Sequence, residues 1–203
     1  MVQYKKEKIK ENIDQAALTV FAKKGYRGTK ISDIAKEAGI SVGNIYRYYK
    51  SKDDIFYTVV PENFAESIRS LLVEKVSAIK EKKFEFIEDN NEFWLLNNEF
   101  IRFIVKNRER ILIIFHNNKG TKYENAKEEA VYFIVRTVKN CYRVQYDQFV
   151  DVNKDDFAMK IIYENLIHMT LRILEEAKTV EEVMKHLKSI NVYHMFGITG
   201  LLK

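Results

Sequence analysis

The chain has 203 residues, 46% of them hydrophobic and 31% charged, with one proline and seven glycines; that is the balance of a globular protein with few helix breakers. Residues 1–60 carry 12 Lys/Arg against 7 Asp/Glu, whereas residues 61–203 carry 22 of each, so the whole net charge of +5 sits in the N-terminal segment. The lone Cys141 leaves no internal disulfide, no stretch is apolar for long enough to span a bilayer, and the lysine-rich start lacks an apolar signal core; these features lead us to expect a reducing, cytoplasmic setting.

In chain order, a first helix is expected from about Lys6 to Lys24, with Ile9, Ile13, Ala16, Ala17, Val20 and Phe21 as its apolar stripe and Gly25 as its C-terminal cap. Its lysines Lys5, Lys6, Lys8 and Lys10 read either as contacts to a nucleic-acid backbone or as a solvated tail. Thr29 is placed to cap a short second helix with Asp33 near its positive end, and Ile31, Ile34, Ala35 and Ala38 share one face. Gly39 supplies the backbone freedom of a tight turn, and Ser41 caps a third helix. There Val42, Ile45 and Tyr49 face inward, while Gly43, Asn44, Arg47 and Tyr48 are left outward. Small and polar residues at the exposed start of a short helix suit the major groove of DNA, where bulk would hold backbone and bases apart. The pattern is a helix-turn-helix whose second helix reads the bases. Asn44 is expected at base edges, Tyr48 on phosphate, and Thr29 and Tyr46 in positioning roles, with Ser41, Gly43 and Arg47 at the same surface.

Gly25-Tyr26-Arg27-Gly28-Thr29, then Ile34-Ala35-Lys36-Glu37-Ala38-Gly39-Ile40-Ser41, then Gly43-Asn44-Ile45-Tyr46-Arg47-Tyr48-Tyr49-Lys50-Ser51-Lys52 follow one another at separations that resemble the TetR family of bacterial transcriptional regulators. The resemblance covers about the first quarter of the chain. It implies an all-α protein with an N-terminal three-helix DNA-binding head over residues 1–50, followed by a connecting helix and a regulatory, dimerising helical body over residues 51–203. It also implies a phosphate contact for the lysine at Lys52. Tyr49 departs from the pattern, which usually has Phe, and its hydroxyl is expected to reach water or a phosphate.

Ser51-Lys52-Asp53-Asp54 has the spacing of a helix start, in which Lys52 opposes the helix dipole. Pro61 then interrupts, either as a joint or as the first turn of a new helix. Beyond it Phe64, Ile68, Leu71, Leu72, Val76 and Ile79 form one stripe. Asn90-Asn91-Glu92-Phe93 recurs a heptad later as Asn97-Asn98-Glu99-Phe100, and Ile111–Phe115 is a buried run. Helices are expected near 123–149, 155–177 and 180–202. The last two are apolar around much of their circumference, so they are assigned to a four-helix homodimer interface containing Leu171, Leu174, Tyr193 and Phe196. The TetR resemblance implies the same arrangement.

Polar residues among the body's aromatics are candidates for a small-molecule site: His168 first, then His116, Tyr132 and Arg136, with Trp94 and Phe115 as lining. The alternative is that the histidines are ordinary core or surface residues and the aromatics fill core. No metal-ligand spacing, cofactor motif, carboxylate pair or nucleophile–base set is present. The expected function is a dimeric regulator on a palindromic double-stranded operator, a repressor released by a small, largely apolar effector. The alternatives are a helix-turn-helix protein without a small ligand and, more remotely, an enzyme built on a helical bundle.

Overall fold

The computed structural model describes residues 2–80, 98–141, 143 and 156–201, whose regular structure is helical, with no strand among them. The order is α1 Val2–Gly28, α2 Ile31–Glu37, α3 Val42–Ile45, α4 Lys52–Val59, α5 Glu62–Lys80, α6 Asn98–Lys106, α7 Arg108–Phe115, α8 Ala126–Cys141, α9 Phe157–Glu176 and α10 Val180–Leu201. Two compact units emerge: Met1–Ala65 with Glu109–Asn125, and Glu66–Arg108 with Ala126–Lys203. The N-terminal unit therefore takes in α4 and a returning segment as well as residues 1–50, a different division from the one expected at residue 50.

In the N-terminal unit Ile13, Ala17, Phe21, Ile34, Ile45, Ile55 and Phe56 are wholly buried. Phe56 stands edge-on to Phe21 at 5.2 Å and to Tyr26 at 5.0 Å. Gly25, expected to end α1, does interrupt it: φ is +70° there, a region that L side chains avoid. The freed backbone groups are met from the returning segment. Asn117 Nδ2 donates to Ala22 O at 2.6 Å, and the carbonyl of Asn117 accepts from Tyr26 N at 3.2 Å. The end of α4 is closed in the same way, by Arg110 Nε on Val59 O at 2.8 Å and Tyr123 Oη on Val60 O at 3.0 Å. Pro61 lies between α4 and α5, immediately before the first residue of α5, and its carbonyl accepts from Phe64 N.

In the other unit α8 and α9 pack through Val131, Ile134, Val135 and Val138 against Met159, Tyr163 and Leu166. On α10 the inward stripe is Val183, Leu187, Asn191 and His194, apolar for two turns and polar for two. Leu171 and Leu174, expected at a dimer contact, are instead buried in this chain's own core, at 5% and 0% exposure. The helical period separates them from the outward side chains. Phe157 and Ile161 on α9, and Val192, Tyr193 and Phe196 on α10, are exposed. The first copy of the Asn-Asn-Glu-Phe heptad pair and Trp94 lie outside the described residues. Phe100, in the second copy, is buried.

Candidate nucleic-acid interface and buried polar cluster

The turn between α2 and α3 is held as its residues require. Gly39 has φ +66° with no heavy atom within 4 Å of where a Cβ would stand, so its role is conformational and not steric. The carbonyl of Ala38 accepts from Asn12 Nδ2 of α1 at 2.7 Å, tying the turn to the scaffold helix. Ser41 caps α3, its Oγ accepting from Asn44 N at 3.2 Å. Ile45 and Tyr49 are buried as expected, but Val42 is exposed. The helix itself ends at Ile45, so Tyr46, Arg47 and Tyr48 occupy the turn after it, with Tyr46 and Arg47 exposed and Tyr48 half-buried.

Ser41, Gly43, Asn44, Tyr46, Arg47 and Tyr48 thus gather along one short stretch at the surface. Gly43 is the informative member. It has no positive φ, and the only atom near an added Cβ is Ser41 Oγ, at 4.0 Å. Nothing inside the protein requires glycine there, and a bare backbone at an exposed helix start is what close approach to another molecule needs. Lys36, Arg47 and Lys50 are exposed and make no ion pair among the described residues, whereas Lys24 is held by Asp33 at 2.8 Å and Lys10 by Asp14 at 3.0 Å.

Thr29 and Lys52 are placed differently from the sequence reading. Thr29 is 2% exposed and its Oγ1 donates to Gly25 O at 2.7 Å, so it closes the kink of α1 and does not reach the surface. The cap of α2 falls to Lys30, whose N–H donates to the Asp33 carboxylate at 2.9 Å. Lys52 Nζ donates to Tyr26 O at 2.9 Å and Thr29 O at 3.0 Å, and sits 4.2 Å from the centre of the Tyr26 ring. The lysine that opposes the dipole of α4 therefore caps carbonyls at the end of α1. The Tyr26 hydroxyl donates to Asp53 beside it; burial first, then that bond, pushes its pKa up to about 12. Tyr49, likewise, does not send its hydroxyl to water or phosphate. It donates to Asp14 of α1, and burial followed by this bond pushes its pKa up to about 12.

The residues singled out for a ligand are divided between the two units. Phe115 and His116 belong to the N-terminal unit, while Tyr132, Arg136 and His168 belong to the other, where all three are exposed. His168 has apolar neighbours in sequence, but it falls on the outer face of α9. The buried polar cluster of this unit was missed. Tyr163 is wholly buried, Asn191 is 2% exposed and His194 4% exposed, with the Tyr163 and His194 rings 5.2 Å apart and inclined at 60°. Burial alone holds the His194 pKa down to about 4. The signal was available in the spacing, since Val183, Leu187, Asn191 and His194 recur at three and four residues. No group of three or more metal-binding side chains forms, and no helix is long and apolar enough to cross a membrane, among the described residues.

Residues 13–59 match the family model described as bacterial regulatory proteins, tetR family. The fatty acid metabolism regulator protein of Bacillus subtilis is 39% identical over 84 residues, which are 40% of this chain and 42% of that protein. The biofilm operon icaADBC HTH-type negative transcriptional regulator IcaR of Staphylococcus epidermidis is 30% identical over 92 residues, 43% of this chain and 50% of that protein. This chain spans half or less of the length of these two curated relatives. The solved structure of the fatty acid degradation regulator FadR from Bacillus halodurans covers 92% of this chain and 98% of its own, at 18% identity and a TM-score of 0.49.

Proposed function

We propose that this chain, which belongs to the TetR family of bacterial regulatory proteins through its residues 13–59, works as a homodimeric, effector-responsive repressor of transcription in the cytoplasm and has no enzymatic activity. The observation that carries the DNA-binding half is the exposed start of α3. Ser41 fixes the helix end, Gly43 leaves the backbone bare without internal cause, and Asn44 follows. Asn44 reads base edges, Gly43 admits the close approach, and Tyr46, Arg47, Tyr48 and the exposed lysines hold phosphates. Lys52 acts behind them by holding the end of α1 and the entry to α2 in place.

Repression is supported by a similar protein described as a negative regulator. Dimerisation is supported by the outward apolar row Val192, Tyr193 and Phe196 on a 22-residue helix. A two-fold pair of heads implies a palindromic operator with half-sites about one helical turn apart, or a multiple of it. The effector shifts the population toward a state that binds this operator poorly.

The test is selection of bound fragments from the source genome, then binding by Gly43→Leu and Asn44→Ala. Both variants should keep the thermal midpoint of the parent. Gly43→Leu should weaken binding to all selected sequences by tenfold or more, and Asn44→Ala should lose discrimination at one or two base pairs, about 1–3 kcal/mol each. A Gly43→Leu protein with parental affinity would remove α3 as the reader.

A further inference from the structure

The inward stripe of α10 begins as an ordinary apolar seam at Val183 and Leu187 and then presents Asn191 and His194 at the same depth. Tyr163, whose ring stands against His194, belongs to the apolar cluster of α8 and α9, against which Ile162 and Ile190 also pack. His194 Nε2 is sealed from solvent and has no hydrogen-bond partner among the described residues. A buried ring nitrogen left unmatched keeps its full desolvation penalty, so an imidazole here is a poor choice for filling core. Phe or Leu would fill the place without that penalty.

We propose that His194 Nε2 is the polar anchor for the effector, a mainly apolar molecule that presents one neutral hydroxyl or carbonyl group. This rests on the effector-responsive reading above. The class of ligand follows from the surroundings. Burial alone perturbs the ring, with no contribution from a charged neighbour, so at neutral pH His194 is uncharged and can exchange one hydrogen bond in either direction. A carboxylate or ammonium would enter this cluster without a matching charge, at a desolvation cost that one neutral hydrogen bond does not offset. Asn191 is the other polar side chain at this depth, while the buried residues of the cluster that Tyr163 joins are aliphatic or aromatic, which suits a hydrocarbon chain or ring.

The probes are 1-decanol and 4-butylphenol, set against decane and butylbenzene as apolar matches and decanoate as the anion. The full chain with histidine labelled in nitrogen-15 is titrated with each, and affinities are measured in parallel on His194→Phe and His194→Gln. At least one hydroxyl probe should bind tenfold or more tighter than its hydrocarbon match and move the His194 Nε2 resonance. That advantage should fall to within about twofold in His194→Phe and be partly kept in His194→Gln, whose amide can still exchange a hydrogen bond. The proposal is overturned by an advantage that survives in His194→Phe, by an Nε2 resonance that stays still at saturation (a site for water alone), by preferential decanoate binding, or by no hydroxyl probe binding. If His194→Phe does not fold, the resonance in the unmodified chain decides. Operator binding separates the two levels. A probe that binds through His194 without releasing operator leaves the anchor standing and removes the effector reading. Selected operators released by some other compound, with no probe dependent on His194, do the reverse.

Discussion

Lowering the pH should unfold this protein through one histidine more than through any other. In the unfolded chain an imidazole takes up its proton near pH 6.5, and in the folded chain His194 does so near 4. Between those values the unfolded state binds more protons, so the stability associated with a neutral His194 is fully present above pH 6.5 and lost as pH falls through 4. Linkage over that interval gives about 2 kcal/mol lost by pH 5 and about 3 kcal/mol by pH 4. The perturbation that isolates it is His194→Phe, which keeps a ring in the cluster and removes the titrating group. Urea unfolding at pH 7.5, 6.0 and 5.0 should show the variant gaining on the parent by about 2 kcal/mol between the first and last, close to 1 M in midpoint. His116, His168 and His186 are exposed and common to both proteins, so they cancel in the difference. Parallel curves for the two proteins would refute the reasoning, and so would a His194 resonance that titrates near 6.5 in the folded chain.

Three further outcomes follow from particular contacts. Lys52→Met should lower the thermal midpoint by several degrees and weaken operator binding, yet change the slope of log affinity against log salt by well under one unit, because its ammonium is committed to the carbonyls of Tyr26 and Thr29; a loss of one full unit with unchanged stability would return it to the phosphates. Tyr49→Phe should destabilise the protein by about 1 kcal/mol through the lost bond to Asp14 in chemical denaturation, with the base preference of the selected operators kept. Phe196→Glu should yield a folded monomer in sedimentation, whereas Leu174→Ala should stay dimeric and lose about 2–5 kcal/mol of stability; a dimeric Phe196→Glu protein would exclude the outward row of α10 as the interface.

Much of the reader was legible because its signals are local. A glycine that must adopt positive φ, a serine three residues before the amide it caps, and apolar residues at helical spacing all act within one turn of the chain. Lys52 was legible in part. Its place against the helix dipole marked it as having another task, but that task lies on the carbonyls of residues 26 and 29, which spacing cannot reveal. Tyr49 and Thr29 share the difficulty, since Asp14 meets Tyr49 only through packing across 35 residues of sequence and the Gly25 carbonyl meets Thr29 only where α1 kinks. On the last two helices an apolar residue can face either way, and a one-residue step rotates it by about 100°. Composition picked out α9 and α10 correctly as rich in apolar surface. It could not say that Leu171 and Leu174 turn inward while Tyr193 and Phe196 turn out, nor that the buried histidine is His194 and not His168.

The capping of α1 and α4 by Asn117, Arg110 and Tyr123 also sets an order of events during synthesis. The N-terminal unit runs to Ala65 and is resumed only at Glu109–Asn125. When residue 65 leaves the ribosome, the carbonyls of Ala22, Val59 and Val60 still lack their donors. The buried row Ile111–Ile114 has not been made. At about 5–20 residues per second the missing segment arrives roughly 3–12 s later. Throughout that interval the nascent helix-turn-helix is an unfinished module, open to proteases and chaperones. A fragment cut after residue 65 would remain in that unfinished condition permanently, so a minimal DNA-binding piece of this protein has to be spliced from two distant stretches of sequence.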